Sequence, residues 1–369
     1  MGLHEQYIGE LVQKGLRSGF SYIQTLRNSF GADPREVWNI FSRYKKEPET
    51  KKGWPNSYPE FPEPHPAYSQ WRLTPPATKV ILGNIEAEGP KEVCFLSCPI
   101  LGTQFEREAK KKSVFLDIDT NTLSYVSTFA NAVHYDINTE VPNSLRGRFD
   151  CVITDPPWYQ DDIKLCVKRA SDLVKTGGII YFSIPGILTR PSVIEERKDL
   201  QAWLGRNNLL VLEMSPIAEY EVPPFEYMAY YDIPPFSGES WRVGEWVKLK
   251  KCGEAGEEIA ANRQNTNWIE YSIAGKRVLL REKPEDKKKP SVSGLYDDSS
   301  LILRTVSKRS PLVQDVDIWT SRNAVLHISS GFTGVKAALD NIEKKDEEIA
   351  ALSGCDKETI RKIKALISA

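Results

Sequence analysis

Between residues 77 and 235 the apolar positions gather into short, nearly continuous runs separated by stretches of helical spacing. Glu92 to Pro99 (EVCFLSCP), Ser113 to Asp119 (SVFLDID), Ala132 to Asp136 (AVHYD), Phe149 to Asp155 (FDCVITD) and Gly178 to Pro185 (GIIYFSIP) predict strands covered on both faces. Such strands, alternating with helices, build a parallel sheet, so the expected fold class is α/β. Asn208 to Glu213 and Glu226 to Asp232 are expected to complete the sheet as sixth and seventh strands.

The pattern changes on either side. Residues 1–47 read as a helical segment, with Ile8, Leu11 and Val12, then Phe20, Ile23 and Leu26, at three- and four-residue spacing. Asp33-Pro34 supplies an N-cap followed by a proline at the first helical position of a helix that would bury Val37, Trp38, Ile40 and Phe41. Residues 48–76 are dense in proline and predict an extended linker or surface strap, because proline cannot donate to a ladder. Residues 236–330, with runs at Trp241 to Lys250, Trp268 to Arg281, Leu301 to Val306 and Asp317 to Ser329, predict a small antiparallel β module. Residues 331–369 read as two C-terminal helices broken at Ser353-Gly354, with Asp356 as the second N-cap.

Charge narrows the partners. Lys+Arg 49 against Asp+Glu 50 leaves a net charge of −1, which excludes polyanion binding through an overall field but not through a local basic face. No apolar run is long enough to span a bilayer and Met1 to Arg17 is charged and amphipathic, so a soluble, cytoplasmic protein without membrane partners is expected. The six cysteines form no CxxC pair and the four histidines lie far apart, so no metal site is expected.

Asp155-Pro156-Pro157-Trp158 carries the most chemistry. It ends the fourth expected strand, and ligands bind at the carboxyl edge of an open α/β sheet. Two prolines remove two N–H donors and stiffen the chain, leaving the Asp155 carboxylate and the carbonyls to accept hydrogen bonds from an amine. Trp158 adds a flat apolar face for a planar base or an aliphatic stem. Asp117 and Asp119 end the second strand, where Rossmann-like enzymes place an acid for ribose hydroxyls.

DPPW resembles the (D/N/S)PP(Y/F/W) motif of amino-group methyltransferases that use S-adenosylmethionine. The resemblance implies a Rossmann-like seven-stranded methyltransferase domain, with Asp155, Pro156, Pro157 and Trp158 at the reacting amine. It also implies that Asp136, ending the third strand, holds the cofactor's adenine. Residues 68–187, from Tyr68-Ser69-Gln70 through LDID to Arg146-Gly147-Arg148-Phe149-Asp150 and DPP, are similar to the catalytic domain of branched-chain polyamine synthases. That family carries an acidic GDDD run where this chain has Ser97-Cys98-Pro99-Ile100. The neutral loop looks like that of the probable N6-adenine methyltransferase family, which also includes lysine methyltransferases.

Clustered acids suit a decarboxylated cofactor and cationic amines, whereas an intact amino-acid tail would be repelled by them. The neutral loop therefore favours S-adenosylmethionine, with Ser97, Cys98, Pro99 and Gly102 beside it together with Asp117, Asp119 and Asp136. Tyr159, Tyr220 and Phe225 are expected to line the acceptor. The acceptor is expected to be adenine N6 in nucleic acid, or protein lysine. The alternatives are aminopropyl transfer to a polyamine, or a catalytically silent binding subunit. Protein partners would use the N-terminal helices or the β module.

Overall fold

A computed structural model describes all residues except 1, 49–52, 110–112, 255, 257–258, 260–266, 287 and 297–299. In chain order the elements are α1 (Leu3–Arg17), α2 (Tyr22–Arg27), α3 (Pro34–Phe41), α4 (Pro75–Ala87), β1 (Val93–Leu96), α5 (Pro99–Ala109), β2 (Ser113–Asp117) and α6 (Thr120–Val126). Next come β3 (Asn131–His134), β4 (Phe149–Thr154), α7 (Gln160–Leu173), β5 (Val174–Ile184), α8 (Val193–Arg206), β6 (Leu209–Tyr220), α9 (Pro224–Ala229) and β7 (Arg242–Lys251). The chain closes with β8 (Trp268–Ile273), β9 (Lys276–Arg281), β10 (Ser291–Ser293), β11 (Ile318–Thr320), β12 (Val325–Ser330), α10 (Phe332–Asp340), α11 (Asp346–Ser353) and α12 (Lys357–Ser368).

These elements form two compact units. The first comprises Met1–Phe61, Trp71–Val222 and Ile233–Arg263 and holds a seven-stranded sheet of order β3-β2-β1-β4-β5-β7-β6. Strands β1 to β5 run parallel, while β7 lies antiparallel between β5 and β6. The alternation along β1 explains why the sheet is covered on both sides. Cys94 and Leu96 join a core with Val167 of α7 and Leu200 and Trp203 of α8. Val93 and Phe95 join another with Ile81 of α4 and Phe105 of α5. The N-terminal helices belong to this unit: Asp33 caps α3 through the Arg35 amide, the Tyr22 hydroxyl donates to the Pro34 carbonyl, and the Phe30 carbonyl accepts from the Leu188 amide at 3.0 Å.

Two expectations for the sheet are corrected. The segment 226–232, expected to be the last strand, begins inside α9, because Pro223 and Pro224 preset the backbone of a first helical turn and remove ladder donors. The strand that fills the sheet is β7, which the sequence pattern placed in the β module. Local alternation shows a strand there but does not say which sheet it joins. Trp246 packs on one face of the large sheet and Val247 and Leu249 on the other.

The second unit comprises Pro62–Gln70, Pro223–Asp232 and Gln264–Ala369, with an antiparallel sheet of order β10-β12-β11-β9-β8. Its core joins Val278, Leu280, Ile318 and Leu326 to Val335, Ile349, Ile360 and Ile363 of three helices, one more than expected for the tail. Part of the proline-rich stretch is built into it: His65 is fully buried and bonds the Trp319 carbonyl through Nε2 at 3.0 Å. Glu63 accepts from the Ser321 hydroxyl, and Gln70 accepts from Arg277 at 3.0 Å. Pro75 and Pro76 start α4 instead of ending the linker, with Thr74 as the N-cap.

Candidate active site

The carboxyl ends of β1, β2, β3 and β4 lie side by side in the parallel half of the sheet, and each carries part of the expected site. After β4 the chain leaves through Asp155-Pro156-Pro157-Trp158 into α7. In the parallel register of β4 and β5, Thr154 pairs with Phe182, so the next residues, Asp155 and Ser183, stand level. Ser183 donates to Asp155 Oδ1 at 2.5 Å, and the Tyr220 hydroxyl at the end of β6 donates to the same oxygen at 2.7 Å. Among the described residues Oδ2 accepts no hydrogen bond.

The backbone beyond Asp155 follows the same division. The Pro157 carbonyl accepts the Tyr159 amide at 2.7 Å, while the Pro156 carbonyl accepts nothing among the described residues. Burial pushes the Asp155 carboxyl up to about 6, against the opposing effect of the Ser183 and Tyr220 hydrogen bonds, which favour the charged form. Burial, with the nearby Asp155 carboxylate, likewise raises the Tyr220 hydroxyl well above its ordinary value, so it stays a donor at neutral pH.

Trp158 is held from several sides. Its indole Nε1 donates to Ser183 Oγ at 3.1 Å, and its ring meets Tyr220 edge to face with centroids 5.3 Å apart. A Cβ at Gly244 of β7 would stand 2.4 Å from Trp158 Cζ2, so the ring fits only because that position has no side chain. The Arg242 guanidinium lies over Trp158, Trp71 and Trp241, at 5.6, 5.2 and 4.7 Å from the ring centroids.

The expected cofactor residues divide into two groups. Asp136 is half-buried; its Oδ1 accepts the Asn138 amide and side chain at 2.9 Å each, and its Oδ2 has no partner among the described residues. Asp117 is half-buried at the end of β2 and accepts the Asp119 amide at 2.9 Å. Ser97 turns the chain from β1 to α5 with a left-handed φ of 56°, its amide bonded to the Leu116 carbonyl, and Pro99 opens α5. These four fit an adenosyl cofactor: half-buried carboxylates stand at the ends of β2 and β3, and an uncharged turn stands at β1.

Asp119, Cys98 and Gly102 have other occupations. Asp119 is 3% exposed and caps α6, accepting from the Asn121 and Thr122 amides and the Thr122 hydroxyl. Cys98 is buried, its thiol donating to the Ile153 carbonyl. Gly102 lets α5 approach aromatic rings, since a Cβ there would lie 2.2 Å from Phe115 Cε1. Helix capping and core packing draw on the same residue types as ligand binding, which is why local sequence did not separate them.

The expected acceptor residues are redistributed as well. Tyr220 is buried and its hydroxyl is given to Asp155. Tyr159 is half-buried before α7, with the Arg190 guanidinium 6.0 Å from its ring centroid. Phe225 is fully buried in α9 of the second unit. Sequence reading passed over Ser183, Arg242 and Gly244. A polar residue within the apolar run of β5, close to its carboxyl end, was the one available signal for Ser183. Among the described residues no cluster of His, Cys, Asp and Glu could hold a metal ion, and no helix is long and apolar enough to cross a membrane.

The seven-stranded sheet, with the candidate site at its carboxyl edge, is a Rossmann-like methyltransferase fold. Residues 69–215, which carry β1 to β5 and much of β6, match the model of the family described as probable N6-adenine methyltransferase. The structure superposes on the branched-chain polyamine synthase of Thermus thermophilus, solved with N4-aminopropylspermidine and 5'-methylthioadenosine. The TM-score is 0.58 at 17% identity, covering 70% of this chain and 91% of that one. An engineered form of the same synthase matches equally, with 90% of its chain covered. An uncharacterized protein of Methanocaldococcus jannaschii is 25% identical over 119 residues, which spans 30% of this chain and 27% of that relative.

Proposed function

We propose that the protein transfers a methyl group from S-adenosylmethionine to an amino nitrogen, with adenine N6 in nucleic acid as the first acceptor and protein lysine as the second. The observation that carries this is the pair of open acceptors, Asp155 Oδ2 and the Pro156 carbonyl, beside a carboxylate whose other oxygen is already occupied. An exocyclic NH2 brings two hydrogens and no positive charge, which suits two acceptors. Holding both hydrogens turns the nitrogen lone pair away from them, toward the electrophilic methyl carbon that the bound cofactor supplies. Alignment is then the main contribution of the protein to the rate. A lysine must first lose a proton, which Asp155 Oδ2 can take as an ionised carboxylate above about pH 6. The match to the probable N6-adenine methyltransferase family supports adenine as the first choice.

Aminopropyl transfer is a second reading, favoured by the shared fold of the Thermus polyamine synthase. The uncharged Ser97-Cys98-Pro99 turn weighs against it, since a decarboxylated cofactor has no carboxylate for clustered acids to repel. Calorimetric titration with S-adenosylmethionine and with its decarboxylated form separates the two readings. Transfer of labelled methyl groups to adenine-containing oligonucleotides, to protein and to polyamines then assigns the acceptor. Tighter binding of the intact cofactor is expected, and a preference for the decarboxylated form would overturn the proposal.

A further inference from the structure

We infer that Ser183 and Tyr220 are positioning residues that clamp one oxygen of Asp155, so that the carboxylate offers the acceptor nitrogen a single oxygen, Oδ2, in one orientation. The inference rests on the proposed role of Asp155 and adds what holds it there. A carboxylate after a strand rotates about its side-chain bonds, and Pro156 and Pro157 stiffen only the backbone. Two donors from different strands, at 2.5 and 2.7 Å on the same atom, remove that rotation.

The clamp is itself held. Ser183 Oγ accepts the Trp158 indole N–H, which leaves its own hydrogen for Asp155. Tyr220 is 2% exposed, packed edge to face on Trp158 and paired across the sheet with Arg242. Asp155, Ser183, Trp158 and Tyr220 thus close a network in which each member orients another. From the turn before α5, the buried Cys98 thiol, bonded to the Ile153 carbonyl, faces Asp155, and burial and the nearby carboxylate keep it protonated. Arg242, over Trp158, is the neighbouring cation acting on Tyr220, and Asp155 is the neighbouring anion.

The clamp also keeps the carboxylate an acceptor. Hydrogen bonds to the charged form offset part of the burial that holds the proton on, so removing one raises the pH at which Asp155 ionises. A protonated Oδ2 would be a donor facing the hydrogens of the amine. The loss of either clamp should therefore show as a displaced acid limb of activity in addition to the loss from freed rotation.

Three proteins test this: wild type, Tyr220→Phe, which keeps the ring on Trp158, and Ser183→Ala. Titration of side-chain carboxyl carbons by NMR, with the Asp155 signal assigned by its absence in Asp155→Asn, reads ionisation without any acceptor present. The Tyr220→Phe midpoint is expected to move up by about one pH unit. The acid limb of kcat/KM should move up with it, to a plateau below that of wild type. An unmoved midpoint in Tyr220→Phe, or an acid limb that stays where it is in wild type, would overturn the clamp. Should Ser183→Ala fail to fold, the tyrosine variant decides alone. If wild type transfers to no acceptor, the proposed function fails while the carboxyl titration still decides the clamp.

Discussion

Tyr220 donates its phenolic hydrogen to Asp155 Oδ1 at 2.7 Å, joining residues 65 positions apart in the chain. That bond links the end of β6, on one side of the sheet, to the DPPW turn after β4, although β5 and β7 lie between the two strands. The sheet therefore surrounds the Asp155 carboxylate with donors from both its parallel and its antiparallel halves.

Asp155→Asn should abolish or strongly depress transfer while stabilising the fold at neutral pH. The folded-state carboxyl is raised from 3.8 to about 6, so the native state holds its proton over a range in which the unfolded chain has released it. Wild-type stability contributed by this group thus falls as pH rises from about 4 to about 6 and is level above. Asparagine keeps an acceptor for Ser183 and Tyr220 without the buried charge. The stability difference from wild type, from urea melts across this range, should grow to at most about 3 kcal/mol and then stay constant. A difference that does not vary with pH would refute the assignment of the burden to Asp155.

Gly244→Ala should disturb the site from β7. The added methyl meets Trp158 Cζ2 at 2.4 Å and the Ile184 carbonyl at 2.7 Å, so the indole must shift. Stability is expected to fall by about 1–3 kcal/mol, as for overpacked cores. Turnover should fall about tenfold or more, because the indole bonded to Ser183 moves with the ring. Unchanged turnover in a folded variant would mean that the position of Trp158 does not matter to transfer.

In the second unit, Arg277→Met should release the 62–70 strap. Arg277 is 5% exposed, bonds Glu270 Oε1 at 2.6 Å and Gln70 Oε1 at 3.0 Å, and lies over the Tyr68 ring. Removing one side of such a buried pair costs about 3 kcal/mol. Limited proteolysis should then cut within residues 62–70, where wild type resists. Equal resistance would show that His65 and its bond to the Trp319 carbonyl hold the strap unaided.

The strands β1 to β5, the cap at Asp33, the break at Gly354 and the DPPW turn were legible in the sequence because each depends on neighbours within a few residues: alternation, a capping oxygen, a left-handed glycine, paired prolines. Partnership across the sheet was not legible. The pattern of β7 shows a strand but is silent on its neighbours, and the 226–232 run turned helical behind its prolines. In the site, sequence singled out Asp155 and Trp158, while the fold gave Tyr220 to Asp155, Asp119 to a helix cap and Gly102 to a ring contact. Sequence by itself determined the α/β pattern and the carboxylate at the strand end, since both are written in local periodicity. Only the tertiary structure decided which oxygen of that carboxylate is free, because hydrogen bonds from β5 and β6 exist only once the sheet has brought distant residues into register.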